Sequence, residues 1–270
     1  MIPKSFVEMW GQGVPWKTLA MVEQDLIISR VLVELYNNQK VKNSLVFRGG
    51  TALNKLHLSF PSRYSEDIDF VQINPEPIGG TIDAIRSALG HLFDEPIRKV
   101  TDRSVKLIYR YNNIDNMIGK LKLEINTTEH FQVLDLQQVD YSINSPWYNG
   151  STKIISYHLE EMVATKLRAL YQRRKGRDLF DLWLVLKNNL VNIDHVINIF
   201  MKYCEKDKMS MSRALFEQSL LEKKMKNDFL NDMVLLLPIG NDWSFNDGFK
   251  FVSEQLISRI PGEPWGGRPK

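Results

Sequence analysis

The pattern of apolar and polar positions predicts alternating helices and strands in the first half of the chain. Apolar residues at helical spacing predict a helix over 22–36. A brief apolar run at 45–47 ends at two glycines, so it predicts a strand that enters a tight turn, and a short helix is expected over 51–56. The apolar positions then return to a strand pattern over 67–73.

The pattern continues with one helix and a predicted hairpin. A Pro- and Gly-rich connector leads to a helix near residues 82–93. Strand patterns at 104–111 and 118–126 flank the turn-forming stretch 112–115, which predicts an antiparallel hairpin. The first half of the chain therefore combines α and β structure.

A change in this pattern divides the chain in two. The composition shifts after Pro146, and from His158 onward the pattern is helical almost to the loop-like last ten residues. We therefore predict an α+β fold with two domains. An α+β lobe is expected over residues 1–150 and a helical lobe over residues 151–270.

Composition excludes several classes of protein. Hydrophobic residues make up 43% of the chain and charged residues 25%, so a disordered chain is excluded. Cys204 is the single cysteine, which excludes an internal disulfide framework and indicates a reducing compartment. Neither a signal peptide nor an apolar stretch long enough to span a bilayer is found, so we expect a cytoplasmic protein without membrane contact. The net charge of +3 does not by itself indicate a nucleic-acid binder.

Two acids in the segment DIDF are candidates for metal binding. Because strand side chains alternate, Asp67 and Asp69 share one face, and Ile68 and Phe70 share the other. A divalent cation such as Mg²⁺ would relieve the repulsion between the carboxylates and would also bind substrate phosphates. The alternative is that both aspartates are solvated residues on an exposed strand face.

Glu124 is a candidate third carboxylate. In the segment KLKLEIN it lies on the opposite face from the apolar residues, and it would approach Asp67 and Asp69 if the two strands are neighbours. Three acids from two strands could hold two metal ions. One ion would activate an attacking hydroxyl group, and the other would clamp a triphosphate for in-line displacement.

A glycine turn precedes these acids. Gly49 and Gly50 lie between a predicted strand and a predicted helix, where backbone N–H groups can approach a phosphate, and Thr51 offers a hydroxyl group there. Glycine turns are common, but the order of strand, Gly-Gly-Thr, helix, turn and D-x-D is much more specific than any one part. The Walker A pattern does not occur in the sequence, which excludes that type of nucleotide site.

The roles of the lysines in the second half of the chain each have two interpretations. Lys166 falls on the apolar stripe of a predicted helix, so it either extends to solvent or meets an anion. If it faces the acids of DIDF, it would pair with a triphosphate. Three further lysines either contact RNA phosphates or occupy a plain exposed helix face, which is the simpler interpretation: Lys223, Lys224 and Lys226.

A basic run over 173–177 follows Lys166. Gly176 is expected to end the preceding helix. The run is either a solvated turn or part of a nucleotide pocket that Arg177 and Asp178 organise together with the lysine. Asp178 and Asp181 also suit the N-terminal turn of the next helix, where acids interact favourably with the helix dipole.

Four segments together resemble the AbiEii/AbiGii nucleotidyltransferase toxin family, which belongs to the DNA polymerase β-like nucleotidyltransferase superfamily and includes the MenT toxins. These segments are RGGTALNKL, RYSEDIDF, KLKLEIN and ATKLRALYQRRKGRDLFDLW. The opening VEQDLIISRVLVELY is also similar, so the resemblance covers most of the chain. It implies a polymerase β-like core with a mixed sheet, followed by a helical lobe that completes the active-site cleft.

The resemblance also implies roles for individual residues. The catalytic residues would be Asp67, Asp69, Lys166 and Asp178. The metal ligands would be Asp67, Asp69 and Glu124. The nucleotide-binding residues would be Gly49, Gly50, Thr51, Ser65 and Arg177. Ser65 lies close to a position that is modified in some relatives to silence the toxin, and Asp181 competes with Asp178 for its role.

The function implied by the resemblance is a metal-dependent transfer of a nucleoside monophosphate from a nucleoside triphosphate (NTP) to the 3′ end of tRNA. In MenT-like toxins this transfer blocks aminoacylation and arrests growth. The cofactor would be Mg²⁺, with Mn²⁺ as the alternative, and the partner protein would be an antitoxin from the same operon. Two other functions stay open: nucleotidylation of a protein hydroxyl group, and nucleotide binding by a non-catalytic regulatory module.

Overall fold

The chain folds into two units, the first ending at Tyr157 and the second beginning at His158. The computed structural model describes residues 2–267. The predicted boundary near residue 150 falls inside the last strand of the first unit, which spans Asn149–Ser156. The α+β class predicted from the apolar pattern is confirmed, because strands are confined to the first unit within the described residues.

Within residues 2–267, seven strands form one mixed sheet in the order β3-β4-β5-β2-β1-β7-β6. The strands β1 and β2 pair antiparallel, whereas β5 joins β2 and β7 joins β1 in parallel. The predicted hairpin is confirmed as the antiparallel pair of β4 and β5. The bounds are β1 Leu45–Arg48, β2 Asp67–Gln72, β3 Ile97–Val100, β4 Ser104–Asn112, β5 Ile118–Asn126, β6 Gln137–Asn144 and β7 Asn149–Ser156.

Helices of the first unit include the long helix predicted from the apolar spacing. Its bounds are wider than predicted because Thr18 caps the N-terminus, where its hydroxyl oxygen accepts a hydrogen bond from the Met21 N–H at 3.2 Å. The helix packs on the sheet, and the Tyr36 hydroxyl donates to the backbone carbonyl of Leu45 at 3.1 Å. The helices are α1 Lys4–Gly11, α2 Leu19–Tyr36, α3 Gln39–Ser44, α4 Gly49–Ala52 and α5 Gly79–Leu89, with a π-helical turn at Leu53–His57.

The three strands that the apolar pattern did not predict lie toward the edges of the sheet. All four residues of β3 are exposed, and β6 alternates exposed polar residues with partly covered ones, with Ile143 alone buried. A strand that buries little apolar surface carries little apolar signal, so both edges went unrecognised. The short helix also begins earlier than predicted, at Gly49 instead of Thr51.

The second unit is built from helices among the residues that the structure describes, as the pattern after His158 predicts. They are α6 Leu159–Gln172, α7 Gly176–Lys187, α8 Ile193–Lys206, α9 Arg213–Lys224, α10 Asn227–Leu230 and α11 Phe245–Gln255, followed by a 3₁₀ turn at Ile257–Arg259. Residues 260–267 form neither helix nor strand, and the rest of the predicted loop-like tail lies outside the described residues. No described helix combines the length and apolar character that crossing a membrane requires.

Two expectations for this unit are wrong. Gly176 does not end a helix: α6 ends at Gln172, and Gly176 begins α7, where a side chain would collide with the carbonyl oxygen of Phe229. Lys223 is not on an exposed face. It is buried, and its ammonium group donates to the carbonyl oxygens of Leu170 and Tyr171 at the end of α6.

Candidate active site

The strand β2 presents two carboxylates on one face of the sheet. Asp67 and Asp69 are partly exposed, whereas Ile68 and Phe70 are 0% and 1% exposed on the opposite face. The predicted alternation is therefore confirmed. Because the buried pair is packed in the core, the strand cannot rotate without losing that packing, and the two acids are held on one face.

The strand β5 adds a third carboxylate to this face. Its parallel register with β2 pairs Asp67 with Lys122 and Asp69 with Glu124. The condition stated for Glu124, that its strand neighbours the aspartates, is therefore met. Leu121 and Leu123 are fully buried on the other face, as the alternating pattern of KLKLEIN predicts.

Two lysines lie among these carboxylates. The Lys122 Nζ atom is 2.6 Å from Asp67 Oδ2 and 3.9 Å from Glu124 Oε2. The Lys106 Nζ atom, from the neighbouring β4, is 3.1 Å from the same Glu124 oxygen. Burial opposes the charged form of Lys122, but its hydrogen bond with Asp67 and the nearby carboxylates outweigh burial and raise the pKa of the lysine. The lysines were not recognised as site residues, because their partners depend on strand register.

The arrangement of the acids decides which of the predicted metal ligands form a candidate site. Within residues 2–267, no three His, Cys, Asp or Glu side chains are placed so that they could hold a metal ion together. Glu124 lies beside Asp69 in register, but its carboxylate is contacted by Lys106 and, at 3.5 Å, by the Ser104 hydroxyl. Asp67 and Asp69 therefore form the candidate metal-binding pair, and a ligand role for Glu124 stays a prediction.

The glycine turn lies against this pair. Gly49 has a φ of +85°, a conformation that favours glycine, and a Cβ atom there would lie 2.6 Å from Asp69 Oδ2. A Cβ atom at Gly50 would collide with the guanidinium group of Arg63, which is 2% exposed. Both glycines are thus required by close neighbours. Arg63 was missed in the sequence, since a single buried arginine in a loop has no pattern.

Thr51 connects the turn to β2. It is 2% exposed, and its Oγ1 atom is 2.8 Å from Ser65 Oγ. The Thr51 hydroxyl group also donates to the backbone carbonyl of Asp67. The two hydroxyl groups therefore fix the loop that precedes the acids. Nucleotide contacts by Thr51 and Ser65 stay predictions.

The second unit contains a buried cluster around Lys166. This lysine, which is 6% exposed, meets anions as one of its two interpretations predicted: its Nζ atom is 2.6 Å from Asp181 Oδ2 and 3.4 Å from Asp178 Oδ1. Arg173 adds a bidentate pair, with its Nε and Nη2 atoms 2.7 and 2.9 Å from the two oxygens of Asp178. Both aspartates are almost completely buried, so their role exceeds that of exposed residues at a helix N-terminus.

The basic turn is balanced by acids from the segment around α10. Arg177 makes a bidentate pair with Asp232 at 3.0 and 3.1 Å, and Lys175 lies 3.7 Å from the same carboxylate. Burial acts to raise the pKa of Asp232, but the hydrogen bonds from Arg177 outweigh it, so the pKa lies below its ordinary value. Asp232 was missed because it lies 55 residues further along the chain. A phosphate contact by Arg177 stays a prediction.

Comparison with known proteins places this chain in a family. Residues 30–250 match the family described as nucleotidyl transferase AbiEii toxin, type IV toxin–antitoxin system. The chain belongs to the AbiEii family. It is therefore a nucleotidyltransferase toxin of a type IV toxin–antitoxin system, whose substrate is an NTP and whose partner is a cognate antitoxin. The predicted resemblance and the predicted enzyme class are confirmed.

Solved structures show the same fold. MenT4, a nucleotidyltransferase toxin from Mycobacterium tuberculosis H37Rv, superposes with a TM-score of 0.69 at 17% identity, covering 97% of this chain and 91% of that chain. JHP933 from Helicobacter pylori gives a TM-score of 0.52 at 21% identity, covering 88% of this chain and 95% of that chain. These similarities confirm the predicted nucleotidyltransferase fold with its C-terminal helices. No curated protein sequence matches this AbiEii chain.

Proposed function

We propose that this AbiEii protein transfers a nucleoside monophosphate from an NTP to the 3′ end of tRNA in a metal-dependent reaction. One observation carries the proposal: Asp67 and Asp69 lie on one face of β2, and the Gly49 turn approaches Asp69 so closely that a side chain would not fit. Carboxylates beside a turn that lacks side chains are suited to a metal-bound triphosphate.

The donor set fits a divalent ion. Carboxylate oxygens are hard ligands, and Mg²⁺ is commonly held by one or two carboxylates together with substrate phosphates. Asp67 and Asp69 would hold the ion, and Mn²⁺ is the alternative to Mg²⁺. When bound, the ion would supply positive charge that orients and neutralises the triphosphate.

Other residues are assigned to the nucleotide by the family resemblance and by their chemistry. The backbone at Gly49 and Gly50 would receive phosphate oxygens. Lys166 would neutralise the triphosphate, and Asp178 would set the position of that lysine together with its competitor Asp181, since their oxygens lie 3.4 and 2.6 Å from Nζ. Arg177 would add a further phosphate contact.

The acceptor is the finer part of the proposal. Transfer to the tRNA 3′ end follows from the resemblance to MenT-like toxins, and the fold shared with MenT4, a nucleotidyltransferase toxin, is consistent with it. Such a reaction takes place in the cytoplasm, where tRNA and NTP are available. A cognate antitoxin in the same compartment would counteract the toxin.

The test uses radiolabelled NTPs and total tRNA. We expect the wild-type protein with Mg²⁺ to transfer label to tRNA, and Asp69→Ala to abolish the transfer. Asp140→Ala is the matched control, because Asp140 is an 85% exposed aspartate of the same sheet, and it should retain activity. Label on a protein would replace the proposal with protein nucleotidylation. Nucleotide binding together with growth inhibition that survives loss of Asp67 and Asp69 would indicate a non-catalytic module.

A further inference from the structure

The carboxylate face of the sheet contains its own cations. Lys122 is the register partner of Asp67, and its Nζ atom lies 2.6 Å from Asp67 Oδ2. Lys122, Asp67 and Glu124 are similarly covered, with exposed fractions of 32%, 31% and 30%. A divalent ion that binds this oxygen of Asp67 must therefore displace an ammonium group that is already in contact with it.

Glu124 offers the displaced ammonium group a second partner. The distance from Lys122 Nζ to Glu124 Oε2 is 3.9 Å, so a small rotation of the lysine side chain brings it within hydrogen-bond distance of this carboxylate. Lys122 and Glu124 lie on the same face of β5, two residues apart. The lysine can therefore exchange Asp67 for Glu124 without movement of the backbone.

The carboxylate of Glu124 has further contacts besides Lys122. Lys106 lies 3.1 Å from Oε2, and the Ser104 hydroxyl lies 3.5 Å from Oε1. Within residues 2–267, no set of three acids is arranged to hold an ion. Two lysines and a hydroxyl group thus surround this carboxylate, whereas an ion held by Asp67 and Asp69 needs no atom from it.

We infer that Lys122 is a positioning residue that competes with the metal ion for Asp67, and that Glu124 receives the displaced lysine instead of binding metal. This inference rests on the proposed metal dependence. It explains why a lysine lies in register with Asp67. Before the ion binds, the lysine reduces the repulsion between the carboxylates of Asp67 and Asp69, and it thereby also lowers the affinity of the pair for the ion.

The experiment measures Mn²⁺ binding to the full-length protein by electron paramagnetic resonance of the free ion, without NTP or tRNA. Lys122→Met should bind Mn²⁺ about fivefold more tightly than wild type, since removal of a contacting cation is worth on the order of one kcal/mol in a pair whose side chains are 32% and 31% exposed. Lys120→Met is the matched control, because Lys120 lies on the same face of β5 and loses the same charge. Lys122→Arg should restore the weak binding of wild type.

Glu124→Gln separates the two possible roles of Glu124. If this residue acts only through the lysine, Glu124→Gln weakens Mn²⁺ binding in the wild-type background and has little effect in the Lys122→Met background. An equal loss in both backgrounds would make Glu124 a metal ligand and overturn its assigned role. Affinity of Lys122→Met within about twofold of Lys120→Met would overturn the competition itself.

Failure of the inference and failure of the proposed function give different results. If wild type binds Mn²⁺ and Asp69→Asn abolishes the binding, metal binding by the aspartate pair holds whatever the lysine variants do. If neither wild type nor Lys122→Met binds Mn²⁺, the competition is overturned, whereas the proposed function is overturned only if transfer of label from NTP continues in EDTA. Lys122→Gln is a second variant, which removes the charge but keeps a polar side chain. Circular dichroism before the titration verifies that each variant is folded.

Discussion

Replacing Gly49 with alanine tests the contact between the glycine turn and Asp69, one of the two proposed metal-binding carboxylates. The backbone at this position has a φ of +85°, and the new Cβ atom would lie 2.6 Å from Asp69 Oδ2 and 3.1 Å from Asp69 Cβ. The oxygen belongs to the end of a side chain and can move, but the Cβ atom of Asp69 belongs to the paired strand β2. The substitution therefore strains the turn and pushes the carboxylate away.

The magnitude has two components. Placing a residue other than glycine in the left-handed region costs roughly 1–2 kcal/mol, and the crowding against Asp69 brings the loss of unfolding free energy to about 2–3 kcal/mol. Displacement of a metal-binding carboxylate by about 1 Å lowers the rate of transfer on the order of 100-fold. Activity should therefore fall much more than the folded fraction does.

Two assays check these values: urea denaturation followed by circular dichroism, and transfer of label from NTP. Gly79→Ala is the control, because a Cβ atom at this first residue of α5 meets nothing within 4 Å. Alanine favours helix, so the control should gain up to about 1 kcal/mol and retain activity. If Gly49→Ala keeps the stability and the activity of the wild-type protein, the proposed contact is refuted.

Three further predictions concern charge and metal. Lys166→Met leaves two buried aspartates with one cation, so the free energy of unfolding, measured by urea denaturation, should fall by about 3 kcal/mol. Lys187→Met is the control: it removes an exposed ion pair with Asp242 and should cost less than about 1 kcal/mol. Burial lowers the pKa of Lys223 to about 8 from its ordinary 10.5. Between pH 8 and 10.5 the Lys223 side chain holds its proton more fully in the unfolded chain than in the folded one, so the free energy of unfolding should rise with pH. Urea titrations at pH 8 and 10 should show that Lys223→Met loses this rise. EDTA should stop label transfer and excess Mg²⁺ should restore it; unchanged transfer in EDTA would contradict a metal role.

The sequence is sufficient to predict those features that depend on local periodicity. Side chains of a strand alternate, so DIDF alone places both aspartates on one face, and the spacing of apolar residues predicts α2 and the helices after His158. The burial of Lys166 beside acids matches one of the two interpretations that its place on an apolar stripe left open. These features need no knowledge of which strand is adjacent to which.

Features that depend on strand register and distant segments were not predictable in the same way. The contact between Lys122 and Asp67 requires the parallel pairing of β2 and β5, which are separated by an intervening helix and two strands. The pairing of Arg177 with Asp232 spans 55 residues. The edge strands β3 and β6 lack the apolar signal because they bury little. Gly176 was misinterpreted because the carbonyl oxygen that requires a glycine comes from Phe229.

Sequencing of tRNA 3′ ends from cells that express wild type or Asp67→Ala tests the central claim most directly. We predict extended tRNA 3′ ends and arrested growth with the wild-type protein, and unmodified ends with normal growth for the variant. Unmodified ends during growth arrest by the wild type would contradict tRNA as the acceptor. Equal extension by both proteins would contradict the assignment of catalysis to the aspartate pair of β2.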